Sequence, residues 1–266
     1  MDTRIYDITA LNDETLRAAQ VMREPEALRA VEAAMDHVRE AAETIAGGGL
    51  VAFPTETVYG LGANAFDPEA VAKVYAAKGR PQDNPMIVHI ARASDIGALT
   101  PTLSPEIIRL ADNFWPGPLT MVLPKKNHVP DVTTGGLATV AVRLPDHPAA
   151  IELIRQSATP IAAPSANLSG SPSPTRKEHV ITDLAGKVDI ILAGTPCRVG
   201  LESTVVDLTA PAIPRILRPG IITADMLSAA LEANVVYDAG LSPGAKPLAP
   251  GMKYKHYAPE AEMLVV

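Results

Sequence analysis

The first clear pattern in the chain is an apolar stripe at helical spacing near the N-terminus. Apolar residues recur every three or four positions from Leu28 to Ile45, and three glycines follow at residues 47–49. Apolar side chains at this spacing lie on one face of an α-helix, and glycine commonly ends a helix. The pattern predicts a helix over residues 28–47 that covers one face of a sheet.

A buried strand and a second, capped helix are predicted directly after this helix. The segment LVAF at residues 50–53 is an unbroken apolar run. Asp67, followed by a proline and an acid, is typical of a helix N-cap, and Gly79 is typical of a C-terminal stop. Lys78 and Arg80 are therefore expected to flank the end of a helix.

The rest of the chain mixes a few helices with many short strands. Helices are predicted at SPEIIRLADNFW and PAAIELIRQSA, and strands at MIVHIA, PLTMVLP, ATVAVRLP, PIAAPSAN, VDIILAG, STVVDLT and RILRPG. Several strands follow one another without a helix between them, which is typical of a mixed sheet rather than strict β-α-β alternation. The predicted fold class is α/β with a mixed sheet.

Composition narrows the class of protein. The 266 residues are 47% hydrophobic, but no apolar run approaches the ~20 residues that span a bilayer, and we expect a cytoplasmic protein without membrane contact. A single cysteine and six scattered histidines favour neither a disulfide nor a metal site. The formal net charge of −7 argues against a large nonspecific nucleic-acid footprint.

No familiar phosphate-binding loop fits the chain. The P-loop pattern is absent, and GLGANA, at residues 60–65, matches only the looser form of the dinucleotide fingerprint. This segment neither follows directly on a strand nor opens a helix, as that fingerprint requires. If the segment around it handles phosphate, side chains must do so.

Polar side chains stand instead where predicted strands begin or end, the usual place for ligands in open α/β sheets. Each alone is most simply a turn residue that satisfies local backbone groups. Together with Lys78, Arg80 and Asn84 they describe a pocket with cations for phosphate and neutral donors for a small polar substrate. The strand-end residues are Thr55, Glu56, Thr57, Ser165, Asn167, Glu202, Ser203, Thr204 and Arg218.

Two polar residues lie inside apolar strands. Arg143 would be costly there unless it is paired or meets an anion. For His89, the pattern alone favours a core histidine bonded to backbone over a ligand contact. Trp115 is most simply a core and turn residue, and Cys197 has no sequence partner that would make it a nucleophile.

The order of these motifs resembles the YrdC-like threonylcarbamoyl-AMP synthase family. The similar segments are FPTETVYGLG, KGRP, WPGPLT, PSAN, ESTVVD and LRPG, and the likeness extends over roughly residues 48–220. A later segment, APGMKYKHYAP, resembles the linker of the longer family form. That comparison assigns residues 1–240 to a catalytic domain, 241–260 to a linker or lid, and 261–266 to the start of a Rossmann-like C-terminal domain that is otherwise lacking.

The resemblance implies a fold and a reaction. The fold is an open twisted mixed sheet with helices and a concave active-site face. The reaction makes threonylcarbamoyl-AMP and pyrophosphate from L-threonine, bicarbonate and ATP with Mg²⁺, for tRNA modification completed by downstream threonylcarbamoyl transferase proteins. Contact with tRNA is then indirect.

The resemblance also implies site residues, and it implies no metal held by the protein itself. Catalysis falls to Lys78, Arg80, Ser165 and Asn167. ATP binding falls to Arg80, Asn84, Thr139, Ser165, Ser173, Arg218 and Tyr254, and threonine binding to Thr57, His89, Arg143 and Ser203.

Two other functions share this sequence pattern. A concave basic face on the same fold could bind RNA by shape, without catalysis. A carbamoyltransferase of hydrogenase maturation shares the core domain, but it also carries zinc-binding cysteines, which a chain with one cysteine lacks.

Overall fold

A computed structural model describes residues 1–238 of the chain. Within these residues eleven strands form one sheet. The strands are β1 (Arg4–Asp7), β2 (Val51–Phe53), β3 (Gly60–Asn64), β4 (Ile87–His89), β5 (Leu119–Pro124), β6 (Thr139–Arg143), β7 (Ile161–Ala162), β8 (Ile190–Ala193), β9 (Thr204–Asp207), β10 (Arg215–Arg218) and β11 (Val236–Tyr237). The predicted linker or lid, the predicted start of a further domain and Tyr254 lie outside the described residues.

Seven α-helices accompany the sheet in the same part of the chain. They are α1 (Asp13–Arg17), α2 (Pro25–Ala46), α3 (Pro68–Lys78), α4 (Pro105–Phe114), α5 (Pro148–Ser157), α6 (Lys177–Leu184) and α7 (Ala224–Leu231), with a π-helical turn at Ala18–Met22 and a 3₁₀ helix at Ala93–Ala98. The helix predicted over residues 28–47 corresponds to α2. None of the helices in residues 1–238 combines the length and apolar character needed to cross a membrane.

The sheet is mixed. Its strand order is β1-β8-β2-β3-β7-β4-β6-β5-β9-β10-β11, so β1 and β11 form the two edges of an open sheet within residues 1–238. Parallel pairs such as β4 with β6 and β5 with β9 alternate with antiparallel pairs such as β5 with β6 and β4 with β7. The predicted mixed α/β sheet is confirmed.

Helices α2 and α5 cover part of one sheet face. The inward residues of α2, such as Val38 and Ile45, pack with Leu153 of α5 against Phe53 and Ile161 of the sheet. This cluster buries apolar side chains from both layers, which is the main driving force for holding the helices there.

The segment GLGAN forms strand β3 rather than a phosphate loop. It pairs antiparallel with β2, and Gly62 faces the ring of Phe53. A Cβ at Gly62 would lie 2.6 Å from Ile161 Cγ2 and 2.8 Å from Phe53 Cε1, closer than carbon atoms can approach. Glycine is needed here because a side chain would collide with the α2-facing core.

Helix α3 begins and ends where its capping residues predict. Asp67 Oδ1 accepts hydrogen bonds from the backbone of Glu69 and Ala70, at 2.9 and 3.2 Å. At the other end Gly79 adopts φ +61°, a left-handed conformation that glycine enters without strain. The chain turns sharply here, and Lys78 and Arg80 stand on either side of the turn.

Farther along the sheet, the face that α2 and α5 cover becomes polar. His89 of β4 lies opposite Ile161 of β7 and beside Arg143 of β6. Residues paired in this way point to the same face, and Ile161 belongs to the cluster under α2 and α5. His89 and Arg143 therefore mark where this face changes from helix-covered core to a polar cleft.

Candidate active site

The cleft collects residues from seven parts of the chain, one of which is the turn after α3 that carries Arg80. It holds about 550 Å³ of empty space, including its open mouth. The loops after β2 and β7, the strands β4 and β6, and the segments around β9 and β10 each contribute to its wall. The lining side chains that carry polar chemistry are Thr55, Thr57, Tyr59, Arg80, His89, Arg143, Ser165, Glu202, Ser203 and Arg218.

Arg143 is held on three sides. Its Nε donates to Gly117 O at 3.2 Å and its Nη1 donates to Thr57 Oγ1 at 2.9 Å. Its Nη2 lies 2.6 Å from Glu56 Oε1, and both side chains of this ion pair are almost completely buried. The apolar strand pattern required a partner for this arginine, and the partner is Glu56, 87 positions earlier in the chain and buried behind the cleft surface.

The hydroxyl of Thr57 has a fixed direction. Thr55 Oγ1 donates to Val58 O at 2.6 Å, and it lies 2.9 Å from Thr57 Oγ1. Because a hydroxyl has one proton to donate, Thr57 must be the donor in the Thr55–Thr57 bond. Thr57 Oγ1 already accepts from Arg143, so the one bonding position left on it accepts a proton from a ligand.

His89 has features of a core histidine and also of a ligand contact. It is buried, its Nδ1 lies 3.2 Å from Ile87 O, and its ring meets that of Phe53 edge-on, as expected for a core histidine. It also lines the cleft. Burial, assisted by the charge of Arg143, lowers the pKa of His89 to about 3, so the ring is neutral at physiological pH.

A second arginine is organised by its neighbours at the ends of β9 and β10. Arg218 donates to Ser203 O and Ser203 Oγ, each at 3.0 Å, and to Glu202 Oε2 at 2.8 Å. Ser203 Oγ lies 2.7 Å from the hydroxyl of Thr120. These bonds orient Arg218, Ser203 and Glu202 together along one wall.

Lys78 supports the turn after β7 rather than lining the cleft. Its Nζ donates to the backbone oxygens of Ser165 and Asn167. Ser165 Oγ in turn donates to Asn167 Oδ1 at 2.6 Å, and the Asn167 amide donates onward to Leu168 O and Ser171 O. Burial, with a smaller effect of the Arg80 charge, lowers the pKa of Lys78 to about 7. The four predicted catalytic residues therefore stand close together, with Arg80 and Ser165 on the cleft surface.

Arg80 reaches the cleft from the turn that ends α3. Its Nη2 donates to Pro85 O at 3.1 Å and lies 3.4 Å from Asn84 O. The Asn84 side chain is buried, and its Oδ1 has no hydrogen-bond partner within the described part of the chain. Asn84 thus lies next to Arg80 without lining the cleft itself.

The remaining predicted ATP contacts differ in their distance from the cleft. Ser173 Oγ donates to Glu202 Oε1 at 2.8 Å, which attaches it to the Arg218 wall. Thr139 opens β6 opposite Pro124, at the far end of the strand from Arg143. The predicted threonine contacts Thr57, His89, Arg143 and Ser203 all line the cleft.

The list of site residues drawn from the sequence omits Thr55, Glu56, Tyr59 and Glu202. Thr55, Glu56 and Glu202 were recognisable as polar groups at strand ends, but nothing in the local pattern paired Glu56 with Arg143 or Glu202 with Arg218. Tyr59 is almost wholly buried, and burial raises the pKa of its hydroxyl well above the ordinary value. Its hydroxyl donates to Thr195 O and accepts from Gly194 N, so Tyr59 supports the backbone next to the cleft.

Two family models match the chain. The Sua5–YciO–YrdC model, described as "Telomere recombination", matches residues 43–220. The model described as "Threonylcarbamoyl-AMP synthase, C-terminal domain" matches residues 222–266. The resemblance treated that domain as lacking, and this second match corrects the point: sequence of the domain is present.

Curated relatives match across most of the chain. The threonylcarbamoyl-AMP synthase of Pyrococcus abyssi is 52% identical over 230 residues, which are 86% of this chain and 67% of that protein. The enzyme of the same name from Bacillus subtilis is 51% identical, over 86% of this chain and 66% of its own length. The chain therefore spans about two thirds of these relatives.

A solved structure agrees with these relatives. The crystal structure of P. abyssi Sua5 complexed with L-threonine superposes with a TM-score of 0.81 at 50% identity, covering 86% of this chain and 67% of that one. The likeness extends over the part of the chain that builds the cleft.

Proposed function

This chain belongs to the Sua5–YciO–YrdC family, and we propose on that premise that it is an L-threonylcarbamoyladenylate synthase. The reaction would join L-threonine, bicarbonate and ATP into threonylcarbamoyl-AMP, with release of pyrophosphate. The observation that carries the proposal is the cleft itself, whose surface brings together three arginines and a set of oriented hydroxyls.

The threonine half of the cleft would lie around Arg143. Thr57 offers an acceptor, which suits the hydroxyl or ammonium group of threonine. His89 is neutral and sits beside Arg143, so it can exchange hydrogen bonds without adding charge. Arg143 and Ser203 supply donors for the substrate carboxylate, since a guanidinium suits a carboxylate by its fork geometry.

The nucleotide half would lie around Arg80 and Arg218. Both guanidinium groups line the cleft and are oriented by backbone and side-chain acceptors. Ser165 lies at the same surface, on the turn that Lys78 supports. We propose that these cations stabilise the charge that develops on the phosphates when pyrophosphate leaves, the usual role of arginines in transfer reactions at phosphorus.

No covalent nucleophile is required for this chemistry. Carbamate made from threonine and bicarbonate is unstable in water, so the catalyst must hold amine, bicarbonate and α-phosphate together and exclude solvent. Cys197 is unsuited to nucleophilic attack because burial raises its pKa to about 12.

Mg²⁺ is expected to accompany ATP. In residues 1–238 no three histidine, cysteine, aspartate or glutamate side chains come together as metal ligands, so the phosphates would hold the ion for the most part. Glu202 is the carboxylate on the cleft surface nearest to this role, and Arg218 already engages it. When bound, Mg²⁺ would neutralise phosphate charge as pyrophosphate leaves.

The cellular setting follows from the proposed product. Threonylcarbamoyl-AMP would pass to threonylcarbamoyl transferase proteins that modify tRNA, so contact of this chain with tRNA would be indirect. A cytoplasmic location is proposed with it, because ATP, threonine and tRNA all occur there.

The decisive experiment is pyrophosphate release from ATP and Mg²⁺ in bicarbonate buffer, with and without L-threonine. We expect release to depend on both threonine and bicarbonate, with threonylcarbamoyl-AMP detected by mass spectrometry. Pyrophosphate release at the same rate with and without threonine would contradict the proposal.

L-Valine is the matched control substrate. It has the shape of threonine with a methyl group in place of the hydroxyl, and a site that bonds that hydroxyl rejects the isostere because buried polar groups lose their partner. We expect serine to react weakly and valine not at all. Equal product from valine and threonine would show that Thr57 and His89 do not bind the hydroxyl.

A further inference from the structure

We propose that Glu56 is a positioning residue: it holds the Arg143 guanidinium in the plane and place needed to receive threonine. The inference rests on the proposed function, since it assigns Glu56 a part in binding that substrate. Glu56 does not line the cleft, so it would act through Arg143 and not by touching the ligand.

The side chain of Glu56 is directed at Arg143. Its side chain is 1% exposed, and its Oε1 lies 2.6 Å from Arg143 Nη2. Neither carboxylate oxygen makes an aligned hydrogen bond with any other described residue. A buried carboxylate usually gathers several donors, so one directed at a single guanidinium is there for that guanidinium.

Stability alone is a poor explanation for such a pair. Removing two charges from water costs free energy that their attraction often fails to offset, and apolar replacements of buried ion pairs are frequently neutral or stabilising. A pair of this kind is better explained by what it orients. Here the oriented group is an arginine that reaches the cleft surface and also bonds Thr57 Oγ1.

Glu56 completes a three-point support for Arg143. Gly117 O accepts from Nε and Thr57 Oγ1 accepts from Nη1. Glu56 lies beside Nη2, the remaining nitrogen, so each of the three guanidinium nitrogens has an oxygen next to it. The guanidinium is then fixed before the substrate arrives, which reduces the ordering cost of binding.

The charge of Glu56 and the position of its carboxylate lead to opposite predictions for threonine binding, so the two roles can be tested against each other. If the negative charge of Glu56 mattered most, it would oppose the substrate carboxylate, and removing it would tighten threonine binding. If position matters most, shortening the side chain will weaken binding even when the charge is kept.

Two substitutions separate these effects. Glu56→Asp keeps the charge but shortens the reach by one carbon–carbon bond, and Glu56→Gln keeps the reach but loses the charge. We expect Glu56→Asp to raise KM for threonine at least about tenfold, with Glu56→Gln raising it no more than about threefold. KM for ATP should change by less than about threefold in both Glu56 variants, because Arg80 and Arg218 are unchanged.

The control is Asp146→Asn, which removes a carboxylate from the exposed pair with Arg198. It should leave both KM values near wild type. Thermal unfolding of each variant shows whether it is folded, and threonine titration by calorimetry measures binding apart from turnover.

The outcomes are distinct. A wild-type protein without threonine-dependent pyrophosphate release would overturn the proposed function and this inference with it. With an active wild type, equal KM values for threonine in the Asp variant and wild type, or a lower KM in either Glu56 variant, would overturn the positioning role alone. So would a Gln variant impaired as much as the Asp variant.

Discussion

At the scale of single residues, Arg80 is one of the two cations that line the proposed phosphate region. Arg80→Ala removes a charge-assisted contact worth about 1.5 to 3 kcal/mol, so we expect pyrophosphate release to fall at least about tenfold. The measurement is turnover at saturating ATP and threonine. Arg92→Ala is the matched control, because Arg92 is exposed and pairs with Asp95 away from the cleft. Wild-type turnover in folded Arg80→Ala would contradict the assignment.

Lys78 should make stability depend on pH. Its folded-state pKa is about 7, below the ordinary value of 10.5, so above pH 7 the folded protein releases a proton that the unfolded chain retains. The unfolded state then binds more protons, and stability rises with pH over this window. Between pH 7 and 9 the contribution of Lys78 is on the order of 2 kcal/mol.

Urea unfolding of wild type and Lys78→Met at both pH values measures this contribution. Other groups titrate in the same range, so the informative quantity is the difference between the two proteins. The wild type should gain stability relative to the variant as pH rises. Parallel pH profiles would show that Lys78 titrates at its ordinary pKa in the folded state.

The sequence predicted the need of Arg143 for a partner but not the identity of the partner. An arginine inside the apolar strand AVRL is costly unless it is paired or meets an anion, and that argument needs only the local pattern. Choosing Glu56 among the acidic residues of the chain requires the order of the strands in the sheet. Glu56 follows β2 and Arg143 ends β6, and β3, β7 and β4 lie between these two strands. The same holds for Glu202 and Arg218.

At the scale of secondary-structure elements, Gly62 in β3 is the position least tolerant of a side chain. Gly62→Ala would force Phe53 and Ile161 apart in the cluster beneath α2, and overpacking of this kind costs about 1 to 3 kcal/mol. Gly97→Ala is the control, since a Cβ there meets no atom within 4 Å. Chemical denaturation should show the loss in Gly62→Ala only; equal stability of the two variants would mean that the core yields to the methyl group.

Elements with strong local signals were predictable, and elements defined by distant partners were not. Helix α3 was predicted from Asp67 and Gly79 because caps act within one turn. Strand β3 was not predicted, because glycine has a low strand propensity. The glycines are needed because the ring of Phe53 in β2 lies close to the place a side chain would occupy. Helix α6 and strand β1 were missed for a related reason: each is short, and neighbouring elements stabilise it.

At the scale of the whole molecule, charge separates the synthase from an RNA-binding module. The net charge is −7, and two of the three arginines on the cleft surface face a glutamate. Nonspecific RNA affinity depends on phosphate neutralisation by free cations. We expect no shift of tRNA mobility with micromolar protein at about 150 mM salt. A tight, salt-sensitive complex would favour the RNA-binding alternative.

The cleft gathers its wall from residues 55 to 218, and this spread has a consequence for how the protein acquires activity. Strand β5 can pair with its parallel neighbour β9 only after β6, α5, β7, α6 and β8 have been synthesised, so the site has a high contact order. Capacity to bind threonine should be among the last properties regained on refolding, after helix content has recovered. On the ribosome, the proposed threonine site would stay incomplete until Ser203, directly before β9, has left the exit tunnel, so threonine could not guide the early folding steps.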